Sequence, residues 1–246
     1  MARGVAGGFL RRLDKRPRVV ASSLLADRRA LVTGGASGIG RALADALRKA
    51  GADVEVADVR AQPACDVTRG ADVDALFARL HAAGRLPDLL VFGAGIGAHE
   101  RLAEGDPDLW ARVMDVNVVG AMRTLRAFVP PMLARGSGDV VFLSSVSARH
   151  PYPYGAAYAA SKAALDVVAE TLRLETQPAL RVLVARLGIV DTPFFERASG
   201  HPGDVRSLGW GALSPEQAAE AILDALSRPH EVAINELVLR PVGQPM

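Results

Sequence analysis

From residue 29 onward, short apolar runs alternate with amphipathic stretches, and this alternation predicts a parallel sheet covered by helices on both faces. Residues 30–33 read as a first strand and 39–50 as the helix after it. Residues 54–57 form a second strand, and 64–65 the stub of a third. A helix over 72–83 leads into a strand at 89–92, which ends at Gly93 and Gly95. A long helical stretch covers 107–135, where Pro130 and Pro131 are expected to kink or break it. Then come a buried strand at 140–143, a helix at 156–176, a strand at 181–185, a helix at 215–227 and a last strand at 232–239. Ser214 followed by Pro215 is a strong helix start. Only a short connection containing Pro63 separates Asp58 from Asp66, which leaves space for a loop or one turn and not for a crossover helix.

The expected fold class is therefore α/β: one Rossmann-type, doubly wound parallel sheet in a three-layer α/β/α arrangement, with a shortened connection between strands 2 and 3. A chain of 246 residues, half of it hydrophobic, suits one such domain over 29–246. Residues 1–28 are set apart by charge, since Arg3, Arg11, Arg12, Lys15, Arg16, Arg18 and Arg28 face only Asp14 and Asp27. This basic extension is expected to be a flexible arm or the product of an upstream start codon. A contact with an anionic partner and an organelle-targeting segment remain open. The body carries a slight negative excess and gives no reason to expect nucleic acid. The chain holds no apolar run of membrane-spanning length. One cysteine, Cys65, excludes an internal disulfide, and His81, His99, His150, His201 and His230 are scattered, so no metal site is expected. A cytoplasmic setting follows as the default.

Two regions carry chemistry. Thr33 to Gly40 is a strand, a glycine-rich turn and a helix start, in which Gly34, Gly38 and Gly40 permit a tight turn close to a pyrophosphate. Ser37 and Ile39 lie in the same loop, and free N–H groups at the helix start meet the phosphate charge. Asp58, at the end of the second strand, is placed to accept both hydroxyls of an adenosine ribose. It also reads as a plain solvated strand-end carboxylate. Arg60 is expected to stack on adenine or point to solvent, and Asp66 with Val67 to meet the adenine edge. NAD is the expected cofactor, with NADP as the alternative should Arg60 pair with a ribose phosphate.

The second region centres on Tyr158 and Lys162, which share one helix face at i and i+4. A free tyrosine is a poor base at neutral pH, and a nearby cation together with an oxidised nicotinamide favours its phenolate. The chain has 26 arginines and three lysines, so a lysine here points to a role a guanidinium cannot fill. Ser144 and Ser145 both follow an apolar strand at the sheet's carboxyl edge, and periodicity does not choose between them. Asn117 sits in a helix-favouring run, where it either caps a local kink or orients a water. Phe194, Phe195, Leu208 and Trp210, with Arg197, His201 and Arg206, form an expected substrate loop; His150, Tyr152 and Tyr154 are placed to line the same pocket.

Together these residues resemble the short-chain dehydrogenase/reductase family over about residues 29–240. Thr33-Gly34-Gly35-Ala36-Ser37-Gly38-Ile39-Gly40 is similar to its Thr-Gly-x-x-x-Gly-x-Gly cofactor loop, and Tyr158 to Lys162 to its Tyr-x-x-x-Lys. The resemblance selects Ser145 as the catalytic serine and Asn117 as the residue that holds a relay water. It further implies Gly95, Gly188, Ile189 and Thr192, beside Tyr158 and Lys162, as cofactor contacts. The implied activity is hydride transfer between a nicotinamide and a small alcohol or carbonyl substrate, in a homotetramer or homodimer built through 107–135 and 156–176. A dinucleotide-binding sensor or scaffold without turnover is the rival reading. Two departures stand out: Phe92-Gly93-Ala94-Gly95 replaces Asn-Asn-Ala-Gly, and Arg186-Leu187-Gly188 replaces Asn/Asp-Pro-Gly. The first is expected to alter how the strand end is braced, and the second to put a bulky Leu187 near the nicotinamide.

Overall fold

A computed structural model of the chain describes residues 25–200 and 209–245. Residues 1–24, and the expected loop residues His201, Arg206 and Leu208, lie outside the described set.

The elements run β1 (Arg29–Thr33), α1 (Gly38–Lys49), β2 (Asp53–Ala57), α2 (Gly70–Ala82), β3 (Leu89–Phe92), β4 (Ala98–His99) and α3 (Pro107–Met114). A π-helical turn over Asp115–Val119 joins α3 to α4 (Gly120–Arg135). Then follow β5 (Gly138–Ser145), α5 (Ala156–Thr176), β6 (Leu180–Leu187), α6 (Phe194–Arg197), β7 (Ser199–Gly200), α7 (Pro215–Leu226) and β8 (Glu236–Leu239). Six strands pair in the order β2-β1-β3-β5-β6-β8, every pair parallel, while β4 and β7 form a separate two-stranded ladder.

Side chains alternate across a strand, and both faces of this sheet are covered, so its central strands carry apolar side chains on both faces. Leu31, Leu90 and Val140 point to one face, where they pack with Leu76, Phe128 and Leu165 from α2, α4 and α5. Val32, Leu89, Val91 and Val141 point to the other, against Leu43 and Leu47 of α1 and Ile222 of α7. Each such side chain, taken fully from water, contributes roughly 1.5–3 kcal/mol. Helix α7 starts on a full capping box, with Ser214 accepting from the Gln217 N–H and the Gln217 side chain accepting from the Ser214 N–H.

Leu25 is fully buried in the α1 face. Arg28 pairs with Asp88 and, at 2.8 Å, with Asp139, whose carboxylate also takes Arg181 at 2.5 Å. These ions tie together the amino ends of β1, β3, β5 and β6. Packing therefore begins by Leu25, four residues ahead of the first strand.

Three details differ from the sequence reading. Residues 64–65 form no strand. The Asp58 carbonyl accepts from the N–H groups of Ala61 and Cys65, so the chain turns back there, and Asp66 accepts from its own Thr68. Turn hydrogen bonds satisfy this backbone in place of a ladder, and α2 is the crossover from β2 to β3. Pro130 and Pro131 do not break α4, which continues to Arg135. The carbonyls that lose partners belong to Arg126, which is exposed, and Ala127, which is half-buried, so water can reach them. The irregularity of the long helix falls instead at the π-turn around Asn117. The last strand is shorter than expected, and β5 and β6 are longer, so Ser144 and Ser145 end β5 instead of following it.

Candidate active site

The strand order reverses direction at β1 and β3, and ligands of open α/β sheets bind beyond the carboxyl ends of strands at such a point. A cavity of about 1150 Å³ opens there. One end is lined by Gly34, Ser37, Gly38, Ile39, Gly40, Asp58, Asp66 and Val67; the other by Gly95, Ser145, Tyr158, Lys162, Gly188, Ile189 and Thr192.

At the first end the chain turns within the space of its own backbone. Gly34 has φ +68°, and a Cβ there would meet the Ala94 nitrogen at 2.6 Å. Ser37 is the N-cap residue of α1, yet its side chain makes no capping bond. The first N–H groups of α1 therefore have no side-chain cap and border the cavity, which fits a pyrophosphate. Asp58 is buried and accepts from the Ala36 N–H at 3.2 Å and the Arg60 N–H at 2.9 Å. Arg60, half exposed, folds back toward the strand end. Its Nε donates to Asp58 at 3.3 Å and its Nη2 to the Ser37 hydroxyl at 2.8 Å, so it closes over the carboxylate. Asp66 turns its carboxylate to the N–H and hydroxyl of Thr68. Burial pushes that carboxyl upward, but the two Thr68 bonds, with Arg69 and Arg112 nearby, leave it below its ordinary value.

The other end is built by β5, α5 and the π-turn. Lys162 is buried and donates to the Leu143 carbonyl at 2.8 Å, with its Nζ 5.7 Å from the centre of the Tyr158 ring. Burial lowers Lys162 to about 8, while Asp166, one turn further along α5, acts to raise it. Burial, with the Tyr152 phenol nearby, pushes the Tyr158 hydroxyl above its ordinary value, and its hydrogen bond with Ser145 pulls it back. Desolvation is thus the dominant influence on the Tyr158 hydroxyl.

The two serines separate cleanly. Ser144 is buried and donates to Asp166 at 2.5 Å; Asp166 in turn takes Arg186 at 2.6 Å, and Arg186 reaches Glu236 on β8 at 2.8 Å. Ser145, at the strand's end, is half-buried and accepts from the N–H and hydroxyl of Ser147. Asn117 is buried. Its amide oxygen accepts from the Ile96 N–H at 2.8 Å, and its amide nitrogen donates to the Ile96 carbonyl and the Ser161 hydroxyl. The side chain thus clamps the loop after β3, and its three bonds are all to protein atoms. A Cβ on Gly95 would stand 3.3 Å from the Asn117 amide oxygen and 3.7 Å from Lys162 Nζ. The bare backbone at residue 95 keeps the space beside the Asn117 amide and Lys162 Nζ clear.

The family's sequence pattern, short chain dehydrogenase, matches residues 28–202. The chain belongs to that family. An uncharacterized oxidoreductase of Staphylococcus haemolyticus is 33% identical over 87% of this chain and 96% of its own. A short-chain dehydrogenase from Streptomyces avermitilis is 31% identical, with a TM-score of 0.77, over 87% of this chain and 89% of its own. The 3-ketoacyl-(acyl-carrier-protein) reductase of Brucella melitensis, solved with NADH, is 27% identical over 89% and 99%, with a TM-score of 0.79.

Against the usual pattern of short-chain dehydrogenases, the two departures have local explanations. Phe92 stacks on Phe142 at 4.9 Å, and the strand end is braced by Thr33, whose hydroxyl accepts from the N–H groups of Gly93 and Ala94. Arg186 joins the buried ion network, and Leu187 is buried against the α1 side of the core while lining the cavity. The Ile189 N–H donates to the Gln244 side chain at 3.0 Å, so the C-terminal tail satisfies that one backbone group while Ile189 still lines the cavity. Thr192 stands across from Gly38, 3.4 Å from where a Cβ would be.

Phe194, Phe195, Trp210, His150 and Tyr152 line the cavity as expected. Tyr154 does not; it is exposed, with Arg101 over its ring. His99 was not singled out by sequence, yet it is buried and lines the same space. Only its position after the Gly95-Ile96-Gly97 turn, at a sheet's carboxyl edge, could have drawn attention to it.

Proposed function

We propose that this oxidoreductase moves a hydride between a nicotinamide cofactor and an alcohol or carbonyl substrate, with Tyr158 as general acid and base. The observation that carries this reading is the joining, in one cavity, of an uncapped helix start at Ser37 with the Ser145, Tyr158 and Lys162 side chains. Gly34, Ser37, Gly38, Ile39 and Gly40 would hold the pyrophosphate and Asp58 the adenosine ribose. Asp66 and Val67 would flank the adenine, and Gly95, Gly188, Ile189 and Thr192 the nicotinamide end.

When bound, the nicotinamide supplies or takes the hydride. In reduction, Tyr158 Oη donates its proton to the substrate oxygen, consistent with a phenol held protonated by burial. Ser145 Oγ donates to the same oxygen and offsets the charge that develops on it. Lys162 Nζ holds the ribose and steadies the phenolate left on Tyr158. Asn117 serves the proton relay through the main chain of its π-turn, because its amide is engaged by Ile96 and Ser161. A π-turn holds one residue more than the α-ladder pairs, which frees a carbonyl for water.

NAD(H) is the proposed cofactor, since Asp58 would face a ribose phosphate with like charge; Arg60 over that carboxylate is the counterweight. Val119 at the end of the π-turn and Met122 and Leu133 on α4, with Val167 and Leu174 on α5, are exposed apolar side chains, which supports a homotetramer or homodimer through these helices. No described helix is long and apolar enough to cross a membrane, and the single buried cysteine fits a reducing, cytoplasmic setting. A panel of alcohols and carbonyls, read by nicotinamide absorbance with NAD(H) and NADP(H), tests the reading. Cofactor binding without turnover of any panel member would favour a sensor or scaffold instead.

A further inference from the structure

The substrate half of the cavity is largely aromatic. Phe194 lies with its ring centre 5.2 Å from that of Tyr158, and Phe195 packs edge-on against Phe194. Within this apolar setting sits one polar pair that the proposed chemistry does not use. His99 Nε2 and the Tyr152 hydroxyl are 2.8 Å apart, and both residues line the cavity. His99 is buried, whereas Tyr152 remains 37% exposed. Among the described residues nothing bonds to His99 Nδ1, which is itself sealed from solvent.

That orphaned nitrogen decides the direction of the pair. Burial holds the His99 pKa below its ordinary value, so the ring is neutral and carries one proton. A proton on Nδ1 would leave a buried N–H donor unpaired, the rarer and costlier kind of orphan. A proton on Nε2 leaves Nδ1 as an unpaired acceptor and donates instead to the Tyr152 oxygen. The Tyr152 hydroxyl proton is then released from His99 and directed to whatever occupies the cavity. Tyr152 is close enough to Tyr158 to push that hydroxyl further up.

We infer that the His99–Tyr152 pair is a second substrate anchor, with His99 fixing Tyr152 as a hydrogen-bond donor that selects substrates bearing a second acceptor oxygen near the reacting carbonyl. The substrate class is an oxygen-bearing ketone, such as a keto ester or diketone on an apolar body, and its reduced hydroxy counterpart. This rests on the reading of the cavity as a carbonyl reductase site and narrows it. Tyr152 contacts the substrate, and His99 is a positioning residue that acts through Tyr152.

The test compares a β-keto ester with a hydrocarbon ketone of the same length. Both are titrated calorimetrically into the protein loaded with NAD+, in which neither can be reduced, and both are assayed for reduction with NADH. Wild type is expected to bind the keto ester about tenfold more tightly, the equivalent of one neutral hydrogen bond. Tyr152→Phe should bring the ratio of the two affinities close to one. His99→Leu should do the same with the Tyr152 hydroxyl still present, and His99→Gln, which can still donate to Tyr152, should restore part of it. Equal affinities in wild type, or a ratio unchanged by Tyr152→Phe, would overturn the inference. Discrimination in binding with no reduction of either ketone would instead count against the hydride-transfer reading and leave the anchor standing.

Discussion

Replacing each of the two adjacent serines by alanine separates a packing role from a chemical one. Ser144 is buried and donates to the Asp166 carboxylate at 2.5 Å. A hydrogen bond to a charged acceptor is worth about 1.5–3 kcal/mol, and Asp166 keeps Arg186, so no bare charge is left behind. For a domain of this size each kcal/mol shifts Tm by about 2–4 °C, which puts the loss for Ser144→Ala at roughly 3–12 °C. Its kcat should stay within a few fold of wild type. Ser145 accepts from Ser147 at the half-buried end of β5, so Ser145→Ala should lower stability by only about 1 kcal/mol. Loss of its hydroxyl from the developing oxyanion should reduce kcat by about 10²–10³-fold. Calorimetric Tm and steady-state kcat on a substrate from the carbonyl panel give both numbers for both variants. A Ser144→Ala protein that keeps its Tm and loses turnover as severely as Ser145→Ala would refute the assignment.

Lys162→Met should report the burial of that ammonium. Its folded value of about 8 lies below the 10.5 of an exposed lysine, so the charged form opposes folding below pH 8, and this penalty fades as pH rises toward 10.5. Wild type should therefore gain on the order of 3 kcal/mol relative to the variant across that window in urea melts, and parallel curves would contradict the burial argument. Leu25→Ala should cost about 2–5 kcal/mol in the same melts, whereas removal of residues 1–24 should leave fold and turnover close to wild type. Unchanged stability of Leu25→Ala would mean that the segment ahead of β1 is not part of the core. Arg60→Ala should widen the preference for NAD(H) over NADP(H), measured as a kcat/KM ratio, by about tenfold, because the half-exposed guanidinium offsets the charge of Asp58. A ratio that stays constant would place Arg60 outside cofactor choice.

The features readable in sequence were those written in local periodicity. The apolar run into Gly34, the helix after Gly38, and Tyr158 and Lys162 on one face of α5 follow from strand and helix repeats alone. What stayed hidden depends on contacts between residues distant in the chain. Ser144 differs from Ser145 because Asp166, 22 residues away, takes one hydroxyl. Arg186 looked like a departure ahead of the substrate loop, but its partners on α5 and β8 make it part of an ion network. Asn117 interrupted a helical pattern, which flagged a local irregularity, yet its partners Ile96 and Ser161 lie on other elements. The false strand at 64–65 shows the converse error: an apolar pair in a short connection paired with no strand, because the Asp58 carbonyl had already closed the turn. His99 was invisible for the same reason as Arg186, since its partner Tyr152 comes from the loop after β5.

The central claim is that the Tyr158 oxygen carries the proton while the rest of the cleft holds the cofactor. Tyr158→Phe removes that oxygen and keeps the ring that packs against Phe194. The decisive measurement is kcat for the variant on a substrate that wild type turns over, paired with a cofactor Kd on the same preparation. A fall in kcat on the order of 10²–10⁴-fold, with the cofactor Kd changed by no more than a few fold, is the predicted result. Turnover retained within a few fold of wild type would contradict the account, because the proton would then have to come from a group other than Tyr158.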